Sequence, residues 1–321
     1  MVTIKDVAKE AGVGVGTVSR YINGDSSIKT RNRILIDDAI KKLGYQVNLI
    51  AKSMKTQRTM TIGVVVHSFT NMFSMKVIEN IEKYVSPMGY SVIIAGCGGD
   101  SETQYQKILE MKKKMVDGYI IMPASPNADR VKSITGNAPC VLVDRLMDKN
   151  VFDSVTIDNE TMVFERMDNV LKMGFDKIGI IEGPDYVSNA IDRQNGFFKA
   201  LEKNNKKCHF AIKGDYDYDF GFDAMQKVLQ NDCDLVFISN KEQLIGALRA
   251  LNGSTKKIYI VAFDGIDYPW LMKENYSFII QPIEEIGKRV AKLLIERLAN
   301  PYMEIKNIVI RNNEENLYQH I

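Results

Sequence analysis

An α/β protein is predicted, with a small three-helix head followed by a body of two doubly wound parallel sheets. Three observations carry that expectation. From Thr61 onward, short β-branched runs alternate with amphipathic helical stretches. Basic charge is concentrated at one end: residues 1–58 hold 11 Lys and Arg against 5 Asp and Glu, leaving 31 against 35 for the rest. The first 45 residues break into short periodic segments at Gly12 and at Asn23-Gly24. A length of 321 residues, 45% hydrophobic and 26% charged, gives room for about two domains with a substantial core.

In the head, Thr3 with Asp6 three residues later is a capping-box pattern. It opens a helix carrying Ile4, Val7, Ala8 and Ala11 on one face and stopping at Gly12. A second helix is expected from Val15 to about Ile22, burying Val18 and Ile22 and exposing Thr17, Ser19 and Arg20. A third, from about Thr30 to Leu43, carries Ile36, Ala39, Ile40 and Leu43. Two short helices joined by a tight turn, in a basic module this small, favour a helix-turn-helix whose second helix enters the DNA major groove. A basic segment retained only for solubility is the competing reading of the charge.

TIKDVAKEAGV (3–13), TVSRYING (17–24) and AIKKLGY (39–45) resemble the DNA-binding head of LacI-type transcription regulators. The match runs over residues 2–45 without gaps and extends over most of the chain. The resemblance implies base-reading positions at Val15 and Gly16, with Arg20 one turn on and Thr17, Ser19 and Asn23 on the same DNA-facing element. Arg can hold guanine O6 and N7 with two hydrogen bonds, Val offers apolar contact to a thymine methyl, and Gly offers nothing, so readout leans on Arg20. A phosphate contact is the alternative for Arg20. Gly14 stands where the family usually has Ser at the N-cap, a small loss of capping.

The polar, basic segment 46–59 reads as hinge helix and linker. Asn48 can cap one short helix, too short to hold in water unaided. The resemblance implies pairing of two such helices in the DNA minor groove, with Met54 as an apolar wedge, Lys52 and Lys55 toward the groove and phosphates, and Ala51 small enough for close pairing. Val47 replaces the family's common Pro, and a linker without special structure is the alternative.

For the body, strands are expected at 61–66, 91–95, 119–122 and 140–143 in one set and at 177–181, 208–212, 235–238, 258–262 and 277–281 in a second. Helices fall between them, and a final helix over 283–298 crosses back to the first set. Each sheet presents its loops at the carboxyl ends of its strands, so the cleft between the two is the default small-molecule site. The resembling family uses this periplasmic-binding-protein-like architecture as its effector domain. The expected division is residues 1–45 for the helix-turn-helix head, 46–59 for the hinge, and 60–321 for the ligand-binding and dimerisation domain. Within the last, subdomain 1 takes about 60–157 and 283–300, and subdomain 2 about 158–282 and 303–321.

Loop residues after these strands supply carboxylate, amide and guanidinium groups suited to a polyhydroxylated ligand: Asp144, Asn189, Arg193, Asn240 and Asp264, with Tyr216 as a stacking platform. The resemblance matches Asp144, Arg193, Asn240 and Asp264 to ligand-contacting positions, and His67, Asn71 and Phe73 to the loop that closes the site. Asp144 can instead cap a helix or pair with Arg145, and Tyr216 and Phe73 can be simple wall residues. Relatives have Asn-Asp where this chain has Asn240-Lys241, a change that admits a more acidic ligand.

The absences point the same way. No apolar run approaches the roughly 20 residues needed to span a bilayer, and MVTIKDVAKE lacks the apolar stretch of a secretory signal, so a cytoplasmic location without membrane contact is expected. Cys97, Cys140, Cys208 and Cys233 are scattered singly beside only three His, which fits reduced, buried thiols and neither a disulfide framework nor a metal site. GCGGD (96–100) and GVGVG (12–16) lack phosphate-loop spacing, and no nucleophile or metalloprotease motif is present. The expectation is a homodimeric, ligand-responsive repressor of carbohydrate-use genes, with double-stranded operator DNA and a sugar or sugar derivative as partners, no cofactor and no enzymatic activity. The rivals are the same regulator with a purine-like, phosphorylated or phosphoprotein corepressor, and a solute-binding protein without DNA function. No leucine-heptad tail follows Arg311, which favours a dimer over a tetramer.

Overall fold

The computed structural model describes residues 2–46, 58–266 and 275–311. They form two compact units, divided after Met60.

The first unit is three helices, α1 (Ile4–Ala11), α2 (Val15–Ile22) and α3 (Thr30–Leu43). Thr3 anchors α1 by donating from its backbone N–H and hydroxyl to the Asp6 carboxylate, at 2.8 and 2.7 Å. Gly12 ends it at φ 64°, a conformation only Gly adopts without strain. The core is Val7, Ala8, Ala11, Val18, Ile36 and Ala39. Ile22, expected in that core, is only half-buried and packs against its edge. Ile28, in the loop before α3, is buried instead. Arg33 fixes that loop by donating to the Ile28 carbonyl at 3.0 Å and the Asp25 carbonyl at 2.8 Å.

The second unit contains two all-parallel sheets. The first holds β1 (Thr61–Val66), β2 (Ser91–Gly96), β3 (Gly118–Ile121), β4 (Cys140–Val143), β5 (Asp153–Ile157) and β11 (Asn307–Ile310), in the order β11-β5-β4-β3-β1-β2. The second holds β6 (Ile178–Glu182), β7 (Cys208–Lys213), β8 (Leu235–Ile238), β9 (Tyr259–Phe263) and β10 (Tyr276–Ile279), in the order β10-β9-β8-β6-β7. The crossovers of the first sheet are α4 (Met72–Val85), α5 (Ser101–Lys113) and α6 (Ala128–Thr135). Those of the second are α8 (Ser188–Lys203), α9 (Tyr218–Gln230) and α10 (Lys241–Leu251), while α7 (Asn159–Leu171) leads into β6. The order reverses between β1 and β3 in one sheet and between β6 and β8 in the other, and the crevice outside these reversals is where ligands bind in such sheets.

Two strands depart from expectation. The sequence pattern predicts no strand at DSVTI (153–157) and places residues 303–321 in subdomain 2, yet β11 pairs in parallel with β5 in the first sheet, Asn307 opposite Ser154 through Ile310 opposite Ile157. The reason is a buried clamp. Arg297, near the end of α11 (Ile283–Ala299), donates to both Asp153 oxygens at 2.7 and 2.6 Å and to the Glu304 carbonyl at 2.8 Å. Asp153 also accepts from the Lys306 N–H at 2.8 Å, so the ion pair steers the chain after α11 onto β5. Among the described residues the chain therefore passes between the sheets twice, after β5 and after β10.

Candidate functional site

In the head, the expected reading surface is the start of α2. Val15, the first residue of the helix, is 42% exposed, an apolar side chain that the small core does not claim. Gly16 is exposed with open space where a Cβ would lie, so no packing demands Gly there. Arg20 is exposed, Thr17 and Ser19 are half-buried where exposure was expected, and Asn23 is exposed at the C-cap. Neither α2 nor α3 has an acidic residue in its first turn, so the positive ends of both helix dipoles are left unneutralised by side chains. Asn48, Ala51, Lys52, Met54 and Lys55 lie outside the described residues, as does the end of the chain after Arg311.

In the body, a cavity of about 290 Å³ lies between the carboxyl ends of the two sheets, and of the expected residues Asn71, Phe73, Asp144, Asn189, Arg193, Tyr216, Asn240 and Asp264 line it. His67 lies in the adjoining outer mouth. Asp144 and Asp264 follow β4 and β9 with φ of 71° and 64°. Left-handed backbone at a non-glycine residue is costly and concentrates at functional sites, and here it turns each carboxylate off the end of its strand.

Arg193 is the most firmly held cation. It is 3% exposed, donates from Nε to Asn159 Oδ1 at 2.9 Å and from Nη1 to the Ser239 carbonyl at 2.8 Å, and lies 3.5 Å above the Phe263 ring. Asn189 and Arg193, expected in a loop after a strand, occupy the first turns of α8, which gives them a rigid base. Asp264 accepts from Gln281 Nε2 at 3.0 Å, and burial raises its carboxyl above the usual range against the pull of Arg193. Asn71 and Asn240 cap α4 and α10, accepting from the Ser74 and Gln243 N–H groups at 2.9 Å. Each keeps its Nδ2 donors for the cleft.

The mouth is organised by Arg145, which ion-pairs with Asp144 at 3.5 Å and lies 2.8 Å from His67 Nε2. The same Nε2 lies 3.0 Å from the Pro123 carbonyl, so this ring nitrogen sits between a guanidinium donor and a backbone acceptor. Burial, then the Arg145 charge, hold His67 down at about 4, while Asp144 pulls the other way. Tyr216 packs over Gly183, where a Cβ would come within 2.2 Å of its ring, so Gly183 is required for this wall.

Four buried polar atoms on residues lining this cavity have no hydrogen-bond partner: Arg145 Nε, Asn189 Oδ1, Tyr216 Oη and Gln281 Oε1. Buried polar groups are almost always paired, so such a concentration marks a surface completed by a polar ligand. Gln281, which the sequence pattern places as the last residue of a strand, lies beyond it: β10 ends at Ile279, and Gln281 follows it as Asp264 follows β9. Arg145, Lys76 and Lys241 complete the polar lining. The free thiols offer no nucleophile: burial pushes the pKa of Cys97, Cys140, Cys208 and Cys233 up and keeps them protonated. No group of residues that would hold a metal ion occurs among the described residues, and no helix there is long and apolar enough to cross a membrane.

Comparison with known proteins agrees with both halves. Catabolite control protein A of Priestia megaterium is 28% identical over 304 residues, 91% of each chain. The ribose operon repressor of Escherichia coli strain K12 is 27% identical over 315 residues, 95% of each chain. The crystal structure of the lac repressor dimer bound to operator and the anti-inducer ONPF has the same fold, with a TM-score of 0.86 at 22% identity over 97% of this chain and 96% of that one. The transcriptional regulator CelR–cellobiose complex has a TM-score of 0.70 at 25% identity over 97% of both chains. Residues 62–308 match the model of the periplasmic binding protein domain and residues 3–48 that of the bacterial regulatory proteins of the lacI family. With a helix-turn-helix head on a two-sheet ligand-binding body, the chain belongs to the lacI family of bacterial regulatory proteins.

Proposed function

We propose that this regulator is a cytoplasmic homodimeric repressor of carbohydrate-use genes, with no catalytic activity, whose operator affinity is set by a sugar or sugar derivative bound in the body. The observation that carries the reading is the cleft wall: buried acceptors and donors on Asn189, Tyr216 and Gln281 without partners, beside Asp144, Arg193 and Asp264. A polyhydroxylated ligand satisfies such a wall because each hydroxyl both donates and accepts. Relatives named as a ribose operon repressor and a CelR–cellobiose complex support the ligand class. The lac repressor dimer on operator supports the assembly.

In this mechanism Val15 and Arg20 read base edges while Gly16, Thr17 and Ser19 lie along the same helix and Asn23 caps its end. Asn48, Ala51, Lys52, Met54 and Lys55 form the hinge against the minor groove. The ligand binds the open and closed cleft with different affinity and so shifts the angle between subdomains, which changes how two heads are presented to DNA. The boundaries of this division of labour are residues 1–45, 46–59 and 60–321, with 303–311 moved to subdomain 1. The test is selection of genomic fragments by the full-length protein at physiological salt, with and without pooled monosaccharides. A pseudo-palindromic site whose retention changes with sugar is the expected result. Fragments enriched without a common sequence under either condition would overturn the reading.

A further inference from the structure

The cleft has two chambers. The inner one, about 290 Å³, is backed by Gln281 and Ile283, where the chain crosses from β10 to α11. The mouth beyond it is larger, about 640 Å³. Asn71, Phe73, Asp144, Arg145, Tyr216 and Asn240 line both, so the chambers adjoin through residues of both subdomains. Small-molecule sites enclose most of their ligand, and the inner chamber alone lies at the small end of their usual range of about 300–1,000 Å³. One sugar ring there meets the partnerless acceptors Asn189 Oδ1 and Gln281 Oε1, on residues 2% and 5% exposed, and leaves the larger chamber unused. In the mouth, the wall of the second subdomain sets Tyr186, Tyr216 and Tyr218 among the carboxylates of Asp215, Asp217 and Glu242. Tyr186, in the loop after β6, is 59% exposed, so no packing within the body accounts for an aromatic ring there. The wall of the first subdomain includes Gly98 and Gly99, at φ 63° and 80° with open space where a Cβ would lie. A sugar ring has apolar C–H faces that cover an aromatic ring and hydroxyls that donate to carboxylates beside it. A wholly apolar group would bury those carboxylates without donors, and an anionic one would meet like charge.

We propose that the effector is a disaccharide, with one ring in the inner chamber against Asp144, Asn189, Arg193 and Gln281 and the second in the mouth, stacked on Tyr186 with its hydroxyls toward Asp215 and Glu242. This deepens, and rests on, the reading of the cleft as a saccharide site. The glycosidic link passes by Phe73 and Tyr216, which line both chambers and come one from each subdomain. A ligand of two rings therefore engages both subdomains along the whole cleft, which couples its length to the angle between them.

The test is calorimetric titration of the full-length protein, backed by thermal shift, with disaccharides and the monosaccharides that compose them: maltose, cellobiose, lactose, sucrose and xylobiose beside glucose, galactose, fructose and xylose. At least one disaccharide binds about tenfold or more tightly than each of its own monosaccharides. Tyr186→Ala reduces that advantage by about three- to tenfold, the worth of one stacked ring, and Glu242→Gln reduces it as well. Asn189→Ala, in the inner chamber, weakens disaccharide and monosaccharide alike. A monosaccharide that binds as tightly as the disaccharides containing it overturns this inference and leaves the saccharide reading standing. An advantage that survives both Tyr186→Ala and Glu242→Gln also overturns it. If none of the probes binds, both readings fall.

Discussion

Asn189 donates from Nδ2 to Asp144 Oδ1 at 3.0 Å, and this bond joins the two subdomains across the cleft. Asp144 follows β4 of the first sheet and Asn189 lies in the first turn of α8 beside the second. Next to it, the Leu146 N–H donates to the Ser188 hydroxyl at 2.9 Å. Asp144 and Asn189 line the cavity, so a ligand that takes either one competes with the bond between the subdomains. Asn189→Ala should lower the stability of the body by about 1 kcal/mol and weaken effector binding by about tenfold. Titration of the variant with whichever sugar the wild type binds is the check, and unchanged affinity would remove Asn189 from the site.

Arg193 should not tolerate conservative replacement. Its fork reaches Asn159 Oδ1 and the Ser239 carbonyl at once while the guanidinium plane lies on Phe263. A lysine ammonium cannot reproduce that geometry. Arg193→Lys is expected to abolish the ligand response of operator binding and to cost about 1.5–3 kcal/mol of stability. Gel retardation with and without ligand reads the first effect and chemical denaturation the second.

The neutral state of His67 makes a pH prediction. Its folded pKa, about 4, lies below the unfolded value of about 6.5. Between these the unfolded chain binds more protons, so this contribution is fully present above about pH 6.5 and is lost as pH falls toward 4. His67→Gln keeps an acceptor for Arg145 and removes the titration. Going from about pH 7 to about pH 4.5, the wild type should lose about 1–2 kcal/mol more than the variant. Equal losses would show that the imidazole is not held neutral.

On the head, stability and DNA reading should separate. Gly16 has open space at its Cβ and sits inside α2, so Gly16→Ala should raise the stability of the head by about 0.5–1 kcal/mol. Arg20 is exposed, so Arg20→Ala should leave stability unchanged and weaken specific binding by about 1–3 kcal/mol. If that loss is uniform across operator variants and reduces the salt slope, Arg20 contacts phosphate instead.

The Asp153–Arg297 clamp should be the costliest pair to break from one side. Asp153→Ala leaves a buried guanidinium unpaired and removes the acceptor of the Lys306 N–H. A loss of about 3–5 kcal/mol is expected. Hydrogen exchange should show β11 losing protection before β5, and retained protection of residues 307–310 would remove the clamp from its role in placing that strand.

Much of the fold was legible because the signals are local. Buried parallel strands read as continuous β-branched runs such as TIGVVV and CVLV, and the head declares itself by Thr3, Gly12 and Asn23-Gly24, whose capping roles depend only on near neighbours. The positions just after buried strands likewise point to Asp144, Asn240 and Asp264. What only the tertiary structure decided depends on groups far apart in the chain. β11 joins the first sheet because Arg297 meets Asp153, 144 positions away, in a buried ion pair that no periodicity announces. Gln281 belongs to the cleft because β10 stops at Ile279, and Asn189 latches onto Asp144 because two independently wound sheets turn their carboxyl ends toward each other. Periodicity determines which residues are buried within an element, but which polar groups meet in the cleft is set by the packing of one sheet against another.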